Sequence, residues 1–185
     1  MIDAATRKAF VMAGHHDLET IKTMLKANPE LLEVAFEWQP GDFETALQAA
    51  SHVGNSDIAL YLLKHGAKPH ITTAAMLGDT ASVQHFLRSD PSLIQTKGAH
   101  GISLLVHAVI SSNRDLVHDL IAKGATDGAP MALNIATDIG EVPVIQVLLE
   151  HTQPDVNWKN MRGKSALEIA SENGQREILV LLERR

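Results

Sequence analysis

Residues 44–68 read ETALQAASHVGNSDIALYLLKHGAK. The stretch holds two amphipathic helical patterns, separated by Gly54 and closed by Gly66-Ala67. Two helices of about ten residues bury too little apolar face between them to be stable alone. A unit this short needs neighbours built like itself, so the first question is whether the chain repeats.

It does. Paired apolar residues late in each second helix recur at Met24-Leu25, Leu62-Leu63, Phe86-Leu87, Leu120-Ile121 and Leu148-Leu149, and then as Leu182-Glu183. A second column runs through the first helices at Ala50, Ala74, Ala108, Ala136 and Ala170, and four residues later come Gly54, Gly78, Ser112, Gly140 and Gly174. An alanine lets adjacent helices approach closely. Glycine after a helix suits the left-handed turn that ends it. Asp17, Ser56, Thr80, Asn113 and Ser165 stand where N-caps belong. These signals predict helices over 3–13, 17–27, 45–53, 56–65, 70–77, 80–88, 103–111, 114–123, 130–138, 142–151, 165–172 and 175–183.

Thr45-Ala46-Leu47-Gln48-Ala49-Ala50, then Gly54, Ile58-Ala59, Leu62-Leu63 and Gly66-Ala67, resembles the ankyrin repeat, whose pattern runs T-P-L-H-x-A, G, I-V, L-L, G-A. The last unit is similar, with Asp155-Val156-Asn157, Gly163, Ser165-Ala166-Leu167, Ala170 and Gly174. The resemblance covers nearly the whole chain. It implies an all-α solenoid of six stacked helix-turn-helix repeats in one domain, at about 1–32, 33–68, 69–94, 95–126, 127–154 and 155–185. The family's Pro, and its His after Leu, are missing throughout. That loss is expected to weaken the turn-bonding network between repeats.

The spacing adds a prediction about shape. The apolar pairs are separated by 38, 24, 34, 28 and 34 residues, but pairs two apart are separated by 62, 58, 62 and 62. The working period is therefore two repeats. Asn28-Pro29 and Asp90-Pro91 open long connections, whereas Gly66-Ala67 and Gly124-Ala125 open short ones. Projecting fingers are expected at roughly 33–44, 95–103 and 155–165, and the connections near 67–70 and 125–130 are too short to project. Glu183, Arg184 and Arg185 give the last unit a polar outer face, as expected where an array ends.

Composition narrows the function classes. The chain has 185 residues, with 45% apolar and only 4% aromatic, so its core is aliphatic. Sixteen Lys and Arg against 22 Asp and Glu give a net charge of −6, which disfavours nucleic acid and anionic membrane as partners. With no cysteine there is no disulfide, no thiol chemistry and no thiolate-bound metal. The N-terminal sequence has no signal-peptide pattern, and no apolar run is long enough to span a membrane. The expectation is a cytoplasmic, monomeric protein without cofactor.

Ankyrin arrays bind proteins through their fingers and the concave face lined by first helices, so the resemblance implies a protein partner of unknown identity. Trp38 and Trp158, each seven residues before a helix start, would be two aromatic anchors, or would fill space beside isolated fingers. His52, Val53, Met76, Leu77, Ile110 and Ile139 fall late in first helices and would line the groove, or else pack between helices. Asp42, Glu44, His100, Ile102, Met161, Arg162 and Lys164 would form the rim on the fingers, and Asn157 would hold the last hairpin.

Catalysis has little support. There is no G-x-S-x-G elbow, no P-loop and no dinucleotide fingerprint, and Ser51, His52, His107, Ser111 and Ser112 are merely near one another in sequence. Ten histidines include one adjacent pair, His15-His16, but there is no HExxH and carboxylates do not cluster around any pair in sequence, so no metal site is expected. The chain reads as a non-catalytic adaptor, inhibitor or regulatory subunit. The alternatives are a small-molecule or nucleic-acid binder using the same face, or a hydrolase whose His/Ser or metal site converges only in the fold.

Overall fold

A computed structural model describes residues 2–185. Twelve α-helices account for most of the described chain: α1 (Ala4–His16), α2 (Leu18–Ala27), α3 (Ala46–Val53), α4 (Ser56–Lys64), α5 (Ile71–Met76), α6 (Thr80–Ser89), α7 (Leu104–Ile110), α8 (Arg114–Ala122), α9 (Ala129–Ile139), α10 (Val142–His151), α11 (Ala166–Glu172) and α12 (Arg176–Leu182). Each odd-numbered helix turns tightly into its even partner. The odd helices stack in series and pack more closely than the even ones, so the array curves with first helices on its inner side.

The two sequence columns do what their chemistry demands. Ala50, Ala108, Ala136 and Ala170 are fully buried and Ala74 nearly so. Gly54, Gly78, Gly140 and Gly174 all have positive φ, and so does Ser112 (φ 56°), which takes the glycine's place. N-capping is as expected at Asp17, Asn113 and Ser165. At α4 and α6 the cap is one residue earlier, because Asn55 and Asp79 accept from the backbone of Ile58 and Ser82. The bonding lost with the family's His is partly replaced. Gln48 and Glu168 stand at that position and accept a hydrogen bond from the N-cap N–H of Thr45 and Ser165, forming capping boxes.

Long excursions follow α2, α6 and α10, and short links follow α4 and α8. Only the first excursion is a regular hairpin: β1 (Ala35–Gln39) pairs antiparallel with β2 (Asp42–Thr45). The second closes with a single bridge, Lys97 to Ser103, around a short 3-10 turn. The third is held by turns, with Asn160 N–H donating to the Lys164 carbonyl at 3.0 Å. Three fingers form at alternate junctions, as the doubled period predicts.

The core divides in two. One cluster spans α1–α4 and reaches Met76, and the other runs from α5 to α12. At the joint between α3 and α5 a buried polar pair, Ser51 Oγ and Thr73 Oγ1 at 2.8 Å, stands among the alanines. Among the described residues, no helix is long and apolar enough to cross a membrane.

Candidate functional site

Three of the ten histidines lie within 4 Å of one buried carboxylate. Glu44 ends the first finger in β2, pointing to the opposite face from exposed Phe43, and is fully enclosed. Its Oε2 accepts a hydrogen bond from Trp38 Nε1 at 2.7 Å, across the hairpin. His52 Nδ1 lies 3.1 Å from Oε1, His100 Nε2 lies 3.3 Å from Oε1, and His15 Nε2 lies 3.7 Å from Oε2. The rings sit edge to face in a chain, His15 to His52 at 5.0 Å and His52 to His100 at 5.1 Å between centroids.

Each member is placed by a separate piece of the fold. His15 and His52 are the penultimate residues of α1 and α3, so stacking those helices sets them side by side. His100 arrives from the second finger. Because the link after α4 does not project, the second finger lies directly against the first. Asp42 then grips His100 twice. Its Oδ1 accepts from the His100 backbone N–H at 3.0 Å, and its Oδ2 from Nδ1–H at 2.8 Å. This grip holds His100 in a left-handed backbone (φ 58°) that few residues adopt unaided, and leaves Nε2 facing Glu44. His15 is fixed in the same manner, its Nδ1 donating to the Met12 carbonyl at 3.2 Å.

The electrostatics follow from burial. Burial pushes the Glu44 carboxyl up, opposed by the Trp38 hydrogen bond and by His15 and His100. Burial, with His15, His107 and His100 nearby, pushes His52 down to about 3, so its ring is neutral at ordinary pH. Hydrogen bonds from His100 hold Asp42 below the usual carboxylate range. His107 lies behind the second finger, is also pushed down by burial, and bonds to the Ser103 carbonyl through Nδ1 at 2.9 Å. A cleft of about 490 Å³ opens beside the cluster, between Gln39–Phe43 of the first finger and Lys97–Gly101 of the second.

The structure therefore redistributes the residues expected at a partner surface. Glu44 is an enclosed carboxylate and not a rim residue, while His52 is mostly covered and belongs to the same cluster. Met76 is 2% exposed and part of the core. Leu77, Ile102 and Ile110 are half-buried against the cores, so the apolar groove stripe is broken in its middle. Val53, Ile139 and Met161 stay exposed. Trp38 and Trp158 share a sequence column but not a role. Trp38 packs edge-on against Phe36 and serves Glu44, whereas Trp158 is half-buried and offers its carbonyl to Asn134. Asn157 does not hold the third finger. Asn160 does, accepting from the Arg162 and Lys164 N–H groups and donating to Asn134 Oδ1. Arg162 pairs with Asp138 at 2.8 Å, and Lys164 pairs with Glu172.

Reading histidines as adjacent pairs missed the cluster, since its members are spread over residues 15–100. One signal was present: His15 and His52 occupy the same helix position in neighbouring repeats.

No curated protein matches the chain significantly. The family description "Ankyrin repeats (3 copies)" matches residues 105–184, and "Ankyrin repeat" matches residues 42–74. With the columns, the stacked helix pairs and the finger positions already described, these matches lead to one conclusion: the chain belongs to the ankyrin repeat family.

Proposed function

We propose that this protein is a non-catalytic recognition module, an adaptor, inhibitor or regulatory subunit, that docks a protein partner on its fingers and on the ends of its first helices. Ankyrin repeats are generally protein–protein interaction modules. The observation that carries the reading is the position of exposed apolar side chains. Phe43 (55% exposed) and Met161 (105%) stand on the first and third fingers, and Val53 and Ile139 (47% each) are the last residues of α3 and α9. Large exposed apolar groups on the fingers and at the ends of first helices are what a partner would cover. The neighbouring cations are committed to pairs within the chain, so contact there would be chiefly apolar.

The test is affinity capture followed by reconstitution with the purified partner. The surface variant carries Phe43→Ser, Val53→Ser, Ile139→Ser and Met161→Ser. A control carries Leu60→Ser and Val180→Ser, exposed on the second helices α4 and α12. The expected result is one partner, bound at fixed stoichiometry by wild type and control and lost by the surface variant. Equal binding by the surface variant would refute the docking face. Salt-dependent retention of DNA or RNA with no protein partner would replace the reading with the nucleic-acid alternative.

A further inference from the structure

We propose that His15, Glu44, His52 and His100 bind one divalent transition-metal ion of the zinc class, joining α1, the first finger, α3 and the second finger.

Three of the four candidate ligand atoms cluster together, and the fourth, His100 Nε2, lies 3.3 Å from Glu44 Oε1. Nitrogen of His15, oxygen of Glu44 and nitrogen of His52 all lie within 4.8 Å of one another. Tetrahedral coordination with bonds of about 2.0–2.1 Å places ligand atoms roughly 3.3–3.4 Å apart. The separations from Glu44 Oε1 are 3.1 Å to His52 Nδ1 and 3.3 Å to His100 Nε2. These pairs are close, yet Glu44 Oε1 and His52 Nδ1 make no hydrogen bond among the described residues although both are buried. Buried polar atoms are normally paired. Two such atoms that face each other without hydrogen-bond alignment fit lone pairs directed at a common third partner.

The surroundings fit the same role. A histidine that binds metal characteristically donates its other ring N–H to a carbonyl or carboxylate, which fixes its tautomer. His15 Nδ1 donates to the Met12 carbonyl, and His100 Nδ1 donates to Asp42. In each case Nε2 is left with its lone pair toward Glu44. Trp38 occupies Oε2, which leaves Oε1 as the ligand oxygen. Three imidazoles and one carboxylate make a borderline donor set. It suits zinc and its first-row neighbours and not calcium or magnesium, which require oxygen ligands. Four protein ligands close the shell, so the ion would act as a staple, tying the second finger to the first two repeats.

The experiment uses the full chain stripped with a chelator and titrated with Zn²⁺ by calorimetry. Thermal melts and the visible spectrum of the Co²⁺ form are read in parallel. The expected result is one ion per chain, a raised Tm and a tetrahedral Co²⁺ spectrum. Asp42→Asn, a positioning change, should weaken affinity by about 10–100-fold. His100→Ala and Glu44→Gln should weaken it further. His100→Ala also loses the ring's bond to Asp42, so each variant's rise in Tm on adding Zn²⁺ is read against its own metal-free melt, which separates loss of binding from loss of fold. The exposed pair His118 and His151, whose rings lie 5.1 Å apart elsewhere on the array, supplies the control: His118→Ala/His151→Ala should bind normally. Failure to saturate at one ion, binding unchanged in His100→Ala and Glu44→Gln, or binding abolished only in the His118/His151 variant would each overturn the proposal.

Discussion

Trp38 Nε1 donates to Glu44 Oε2 at 2.7 Å, and among the described residues this is the one hydrogen bond that the enclosed Glu44 side chain receives. The bond crosses the first hairpin, from β1 to β2, and ties the indole to the carboxylate. Trp38→Phe keeps most of the ring packing and removes the donor. A buried acceptor stripped of its partner costs about 1–3 kcal/mol. Denaturant unfolding should show that loss in Trp38→Phe, and much less of it when the same change is made in a Glu44→Gln background, where no charge is buried. Equal losses in both backgrounds would mean that the indole acts through packing alone.

Gly54 and Gly174 end equivalent first helices with equivalent left-handed backbones, φ 79° and 67°, yet they differ in surroundings. A Cβ on Gly54 would stand 2.7 Å from Cγ2 of Ile110, whereas one on Gly174 would meet nothing within 4 Å among the described residues. Isoleucine is stiff at its branch point and cannot easily swing away. Gly174→Ala should cost about 1 kcal/mol or less, for the backbone alone. Gly54→Ala should cost about 1–3 kcal/mol more, because it overpacks the contact between α3 and α7. Matching stabilities for the two variants, measured by chemical denaturation, would show that this contact is loose.

Ser112 tests the same column from the other side. It holds φ 56° where its counterparts are glycine. A side chain in that region costs about 1–2 kcal/mol, and glycine gives back about 0.5–1 kcal/mol through the freedom of the unfolded chain. Ser112→Gly should therefore stabilise the protein by roughly 0.5 kcal/mol. A loss of stability in urea titration would show that the hydroxyl is doing something the backbone argument omits.

These columns explain why so much of the fold can be read from the chain. In a stacked array each unit meets only its neighbours, so local patterns report directly on packing, and Ala136 in a helix predicts Ala136 between helices. The fingers were legible through the doubled period, because connection length decides whether a loop can project. The candidate cluster was largely not legible. His100 meets Glu44 only because the second finger folds against the first across a link too short to project. Asp42 then bends the His100 backbone into place, and sequence adjacency carries no trace of that step. Met76 was misplaced for a related reason. Position in the column does not set burial by itself: the equivalent His52 is also mostly covered and Ile110 half-buried, and only Asp138 and Glu172 reach the surface.

Acid should unfold the array through its caps. Asp79 accepts from the hydroxyl and then the backbone N–H of Ser82 at the start of α6, and Asp90 accepts likewise from Ser92 in the turn that follows. These bonds hold both carboxyls below the usual carboxylate range. A carboxyl whose folded pKa is depressed contributes stability that is fully present above its unfolded pKa and is lost as pH falls through the lower, folded value. Both contributions are therefore intact at neutral pH and decline below about pH 4. Asparagine can accept the backbone bond of an N-cap but cannot titrate. Asp79→Asn should be close to wild type or slightly less stable at pH 7, and the gap should shrink as the pH is lowered from about 4 toward 2. Urea midpoints measured at intervals across that range provide the check. A gap that stays constant would place the acid sensitivity in other carboxylates, and a gap that widens would contradict the sign of the linkage.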